Sequence, residues 1–255
     1  SAISIATKLN LRGPVNLHFL LANDQIYLLQ IKSYSGHNVA FLTKALKKDI
    51  TAITMKVLLG STLSELDLPS DIWPSNDLIH VKMPVFSYLS YSSENTFDSK
   101  MKTSGSVMGR AKHLPTALFK GYEGSDLMIS TYGTVFISVK DSEKHNAIKI
   151  AARFHQLGFK LLATEGTANV LAEEGITTGI IEKVQEGSNS LLEKIKQHRI
   201  NLVINVTSLS DSASHDAIMI KDAALSTHIP VFSSLQSAQD VLIVLETLAM
   251  TTQPL

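Results

Sequence analysis

The chain has 255 residues, 23 acidic and 23 basic, and no cysteine. Zero net charge gives no reason to expect nucleic acid or an acidic membrane surface as a partner, since both need a concentrated basic face. The missing thiols remove disulfides, thiolate catalysis and Cys-ligated zinc. No apolar run approaches the roughly 20 residues of a bilayer span. The N-terminus carries no basic segment followed by an apolar signal core, so a soluble, cytoplasmic protein is expected. The length allows one large domain or two smaller ones. The first residue is Ser1 rather than Met, and a cut from a longer protein is the expectation.

Ala2 to Leu11 reads as a short helix end, followed by Gly13-Pro14. Val15 to Leu21 and Gln25 to Ile31 alternate apolar and polar residues around Ala22-Asn23-Asp24, which specifies a β-hairpin. Val39 to Leu46 and Ile50 to Leu59 read as helices, the second stopped by Gly60. From Ser61 to Ser99, Pro69, Pro74 and Pro84 break the pattern into short strands such as Leu78 to Lys82. Met101 to Gly109 is extended, Leu114 to Gly121 a helix, and a linker is predicted near Gly124 to Tyr132.

Beyond Gly133 strand and helix alternate. Thr134 to Val139 is a β-branched and aromatic run of the kind a buried parallel strand carries. A helix from Ser142 to Leu157 follows, with Ala147, Ile150, Ala151, Phe154 and Leu157 at helical spacing and Gly158 as its stop. Strands at Phe159 to Ala163, Thr177 to Ile181, Leu202 to Val206 and Val231 to Ser233 then alternate with helices at Thr167 to Glu174, Ser190 to His198, Ser212 to Thr227 and Ser237 to Ala249. Five such alternations specify an α/β fold, a parallel sheet with helices on both faces. The seam between the two units is predicted near residue 130, giving domains 1–130 and 131–255.

In such a sheet, ligands bind at the carboxyl ends of the strands. Lys144, Thr164, Thr167, Lys183, Asn205, Thr207 and Ser208 fall there. Lysines supply charge, hydroxyls and the amide supply directed hydrogen bonds, and helix N-termini add partial positive charge, so the rim is an anion pocket by composition. Thr164-Glu165-Gly166-Thr167, a strand-to-helix turn, is its centre. The bland reading makes Thr167 an ordinary N-cap. Glu165, Asp141 and Asp211 are the nearest acids, but none sits in a catalytic motif, and neither catalytic residues nor a metal site are assigned.

Phe159 to Ala168, Lys183 to Gly187 and Leu202 to Asn205 together resemble the methylglyoxal-synthase-like domain at the C-terminus of carbamoyl-phosphate synthase large chains. Lys82 to Ser87, Met101 to Gly109 and Ala117 to Gly121 resemble the stretch leading out of the second ATP-grasp unit of those chains. Val15 to Gln30 with Phe41 to Ala45 is similar to the end of its core. The resemblance implies a three-layer α/β/α allosteric domain preceded by an α+β remnant of an ATP-grasp unit. It implies that a nucleotide effector of the UMP or IMP type is held by Thr164 and Thr167 on phosphate. Lys144 and Lys183 would be charge partners, and Asn205 and Thr207 would contact phosphate or ribose. The parent reaction would join bicarbonate and glutamine-derived ammonia, using ATP with Mg2+ or Mn2+ and a glutaminase small subunit, for arginine and pyrimidine synthesis.

The departures carry weight. Where those synthetases place metal-binding carboxylate and amide groups after the hairpin, this chain has Gln30, Lys32, Ser33 and Tyr34. Magnesium wants oxygen ligands, preferably anionic, and Lys32 would put a cation beside it. ATP-driven chemistry is therefore not expected in this segment. Val206 stands where bacterial members often have Thr, which leaves the effector open. Two other readings remain: a stand-alone lyase of the methylglyoxal-synthase type, and a non-catalytic scaffold whose first half is an interface.

Overall fold

A computed structural model describes residues 2–33, 36–69, 73, 76–85, 105–182, 190–207 and 211–251. Packing divides the chain into two compact units, Ser1–Asp77 and Leu78–Leu255.

In the first unit, helix α1 (Ala2–Lys8) precedes strands β1 (Val15–Ala22) and β2 (Gln25–Ser33). The strands form the antiparallel hairpin that their alternation predicts, and the left-handed φ values of Asn23 (50°) and Asp24 (58°) make the tight turn. Helices α2 (Gly36–Leu46) and α3 (Ile50–Leu58) follow. The Asp49 carboxylate caps α3, accepting from the Ala52 N–H at 2.9 Å, and Gly60, with φ 109°, ends the run as expected. Among the described residues only Val39, Ala45 and Thr54 are buried in this unit.

The second unit opens with strands β3 (Ile79–Val85) and β4 (Gly105–Ala111), paired antiparallel, and helix α4 (Leu114–Gly124) laid across them. Gly109 makes that crossing possible. A Cβ there would run into the carbonyl oxygen of Ala117 and stand 2.7 Å from the Gly121 nitrogen. The segment predicted as a linker is not free of the sheet domain: Leu127 and Ile129 pack against its core, and Tyr122 of α4 meets Phe232 edge-on at 6.3 Å. The packing division thus falls near residue 77, while the predicted seam near 130 lies inside the second unit.

The sheet has five parallel strands: β5 (Thr134–Val139), β6 (Lys160–Thr164), β7 (Gly179–Ile181), β8 (Leu202–Val206) and β9 (Val231–Phe232). Their order is β7-β6-β5-β8-β9. The helices are α5 (Lys144–Gln156, after a 3-10 turn at Asp141–Glu143), α6 (Glu165–Glu173), α7 (Ser190–Lys196), α8 (Asp211–Ser226) and α9 (Leu235–Thr251). Side chains alternate across β5, which builds both faces. Val135, Ile137 and Val139 pack with α5, α6 and α9; Phe136 packs with α7 and α8. Fully burying each such side chain stabilises by about 1.5–3 kcal/mol. The result is the expected three-layer α/β/α arrangement. The start of β5 is pinned on one side by Asn201, whose Oδ1 accepts from the Thr134 N–H at 2.8 Å. Gly133, with φ 116°, leaves that amide the room it needs.

Candidate functional site

The strand order reverses direction between β5 and β8. One connection runs from β5 through α5 to β6, the other from β8 through α8 to β9, on opposite faces. A crevice opens where such connections diverge, at the carboxyl ends. Lys140, just past β5, donates its N–H to the Val206 carbonyl at 2.8 Å and closes the floor of that crevice.

Hydroxyls line the edge beside it. Thr164, the last residue of β6, is the residue before α6, so the N-cap falls there and not at Thr167. Its side chain makes no capping bond. Instead Thr164 Oγ1 lies 3.5 Å from Ser138 Oγ and donates to Thr167 Oγ1 at 3.3 Å, while Thr167 Oγ1 accepts from the Val139 N–H at 3.4 Å. These distances exceed the usual 2.5–3.0 Å of O–H···O bonds, so the hydroxyls hold one another weakly and stay open to a stronger acceptor. Thr164 and Thr167 are 7% and 1% exposed.

Charge comes from α5. Lys144, its first residue, reaches back over the opening turn of α6, where its Nζ lies 2.8 Å from the place a Cβ on Gly166 would occupy. It also pairs with Asp141 Oδ1 at 2.7 Å, an ion pair whose carboxylate is almost wholly solvated. An ammonium group set against the positive end of a helix dipole is unfavourable by itself; an anion between the two turns both terms favourable.

Asn205 continues the row. It is the cross-strand partner of Ser138 on β8, so the two side chains share a face of the sheet. It is 7% exposed. Asp216 of α8 stands four residues before Ile220, on the helix stripe that packs against the sheet, and its Oδ1 is buried without a partner.

Of the six residues expected at this rim, the structure joins Thr164 and Thr167, brings Lys144 over their turn and sets Asn205 in the same strand-end row. Thr207 is exposed just beyond β8. Lys183 lies outside the described residues, as does Ser208. Ser138 and Asp216 are additions. Strand pairing alone exposes Ser138, since the register that sets Ile137 beside Ala163 sets Ser138 beside Thr164. Asp216 is drawn to attention by its buried, unpartnered Oδ1 and by the burial of Ile220 one turn later.

Residues 146–233 match the model of a domain family described as MGS-like domain, which covers most of the sheet and its helices. A solved structure described as "Crystal structure of ForH" is 22% identical, covers 46% of this chain and 80% of that one, and superposes with a TM-score of 0.37. Among the described residues no helix is long and apolar enough to cross a membrane.

Proposed function

We propose that the MGS-like domain of this chain is a sensor that binds a phosphate-bearing nucleotide of the UMP or IMP type, with no chemistry of its own. One observation carries the reading: the Lys144 ammonium held over Gly166 at the opening of α6, beside the linked hydroxyls of Ser138, Thr164 and Thr167. Phosphate oxygens would accept from those hydroxyls and from the free N–H groups of the first turn of α6. In this reading Asn205 and Asp216 would meet the ribose, the amide as donor or acceptor and the carboxylate as acceptor from a hydroxyl. Thr207 and Lys183 complete the expected set.

The parent in this reading is a carbamoyl-phosphate synthase large chain, with its ATP, divalent cation and glutaminase partner outside this segment. What supports it is the run of sequence resemblances across the chain together with the MGS-like match at residues 146–233. An effector regulates by binding two states of the protein unequally, and the site here would supply that difference.

Calorimetric titration with UMP, IMP and inorganic phosphate tests the reading, beside a Lys144→Ala, Thr164→Ala variant. Saturable binding lost in the variant supports it; a folded wild-type chain that binds none of the three refutes it. A second reading, a lyase acting on a triose phosphate, rests on the unpartnered Asp216 carboxylate as a rim acid or base. Turnover of dihydroxyacetone phosphate that Asp216→Asn abolishes would put that reading first.

A further inference from the structure

The proposed effector site already holds an anion beside its lysine. Lys144 Nζ lies 2.7 Å from Oδ1 of Asp141, three residues earlier, on the 3-10 turn that leads from β5 into α5. The two side chains stand very differently in water: that of Lys144 is 22% exposed and that of Asp141 94%. The ammonium is thus drawn in against the opening turn of α6, with Nζ 2.8 Å from the place of a Gly166 Cβ, while the carboxylate holds it from the solvent side.

Two forces act on the ammonium there. The positive end of the α6 dipole repels it, and a flexible lysine would otherwise turn out to water. The Asp141 carboxylate opposes that repulsion. The pair is local and its carboxylate stays hydrated, so it is weak and exchanges readily for a better partner. A phosphate seated on the α6 turn and on the hydroxyls of Ser138, Thr164 and Thr167 is such a partner, since it brings up to two negative charges and several acceptors to the same ammonium. The two anions cannot share Lys144 without cost. Oxygens on two donors of one ammonium sit about 4–5 Å apart, where like charges repel even in water.

We propose that Asp141 is a built-in competitor of the effector, the anion that pairs with Lys144 in the ligand-free chain and gives way when phosphate arrives. The inference rests on the effector reading of the site. A contact made in the free state and lost in the bound state lowers affinity by its own worth, so Asp141 sets how much effector the sensor needs before it responds.

Calorimetry with inorganic phosphate on the full 255-residue chain compares wild type with Asp141→Asn, which keeps the side-chain shape and removes the charge. Phosphate is expected to bind the variant about twofold to tenfold more tightly. Glu143→Gln is the control. It removes one negative charge from the same turn, but the Glu143 carboxylate accepts from Asn146 Nδ2 at 3.0 Å, so the Lys144–Asp141 pair stays in place and affinity changes less than twofold. A second measurement needs no ligand: acylation of Lys144 by an amine-reactive ester, read by peptide mass spectrometry, is expected to be faster in Asp141→Asn than in wild type or Glu143→Gln. If neither wild type nor the variants bind phosphate, the effector reading and the competitor fall together. If wild type binds and Asp141→Asn binds no more tightly than Glu143→Gln, the competitor alone is overturned. Unchanged labelling of Lys144 in Asp141→Asn overturns it too, since the carboxylate then does not hold the ammonium.

Discussion

Arg153 of α5 and Glu246 of α9 meet through two parallel hydrogen bonds, Nε to Oε1 and Nη2 to Oε2, each 2.7 Å long. Hydrogen bonding to Glu246 is the main cause that holds the guanidinium above its ordinary pKa, with the carboxylate's charge adding to it and burial opposing. The pair ties the helix that starts at Lys144 to the helix that closes the domain. Both side chains are about a third exposed, so water screens much of the attraction. Glu246→Gln is expected to cost about 0.5–1.5 kcal/mol in urea unfolding, less at high salt. A cost that does not change between low and high salt would mean that packing, not charge, holds the two helices.

Gly166→Ala separates folding from binding. The new Cβ would meet only the far end of the Lys144 side chain, which can swing away, and alanine favours the helix by up to about 1 kcal/mol over glycine. The variant is expected to melt at or above the wild-type temperature while phosphate binding falls about tenfold or more, since the ammonium is displaced from its place over the turn. Unchanged affinity in calorimetry would show that Lys144 does not act there.

Thr164→Val keeps the shape of a buried side chain and removes its hydroxyl. Because the bonds it makes are long, stability is expected to change by less than about 1 kcal/mol. A hydroxyl that donates to a charged phosphate is worth about 1.5–3 kcal/mol, so affinity should fall tenfold to a hundredfold. Equal losses in stability and binding would assign Thr164 a structural role only.

Gly109→Ala is expected to unfold the packing of α4 on β3 and β4, at a cost of about 3 kcal/mol or more. Its Cβ meets backbone atoms of Ala117 and Gly121, which cannot move independently of their helix. Thermal melting monitored by far-ultraviolet circular dichroism checks this, and a variant as stable as wild type would mean the helix can slide.

Burial, with a smaller contribution from the charge of Asp240, raises the Tyr122 phenol from 10.0 to about 12. The folded state therefore holds this proton more tightly than the unfolded state. Full stability persists below pH 10, and about 2–3 kcal/mol is lost as the pH rises toward 12. Tyr122→Phe should flatten that limb of the stability curve against pH. An identical alkaline limb in the variant would assign the loss to other groups.

The sheet domain was readable because its strands are short apolar runs, two of them following helices that stop at Gly158 and Gly175, and burial on both faces leaves little choice of residue, as in Val135 to Ile137. Element ends were less so. Thr167 has the chemistry of an N-cap, but the helix begins at Glu165, and Thr167 turns inward to Val139 and Thr164. Its hydroxyl finds a better place in the hydroxyl cluster than on its own helix. The pairing of β3 with β4 was hidden because the partners are separated by a long intervening segment and because Gly105 and Gly109 weaken the strand signal. Ser138 escaped notice because nothing in a single strand says which residue its neighbour sets beside it.

Strand β5 is the first of the sheet to be synthesised and lies at its centre, flanked by β6 and β8. β6 follows within about thirty residues, but β8 begins only at Leu202, and α9, which covers Val135, Ile137 and Val139, comes last. A nascent chain on the ribosome therefore carries a bare apolar strand edge through the making of more than half of this domain. Its yield in cells should depend on chaperones that shield such edges and on how fast the ribosome passes the segment from β6 to β8, more than on the final stability of the fold.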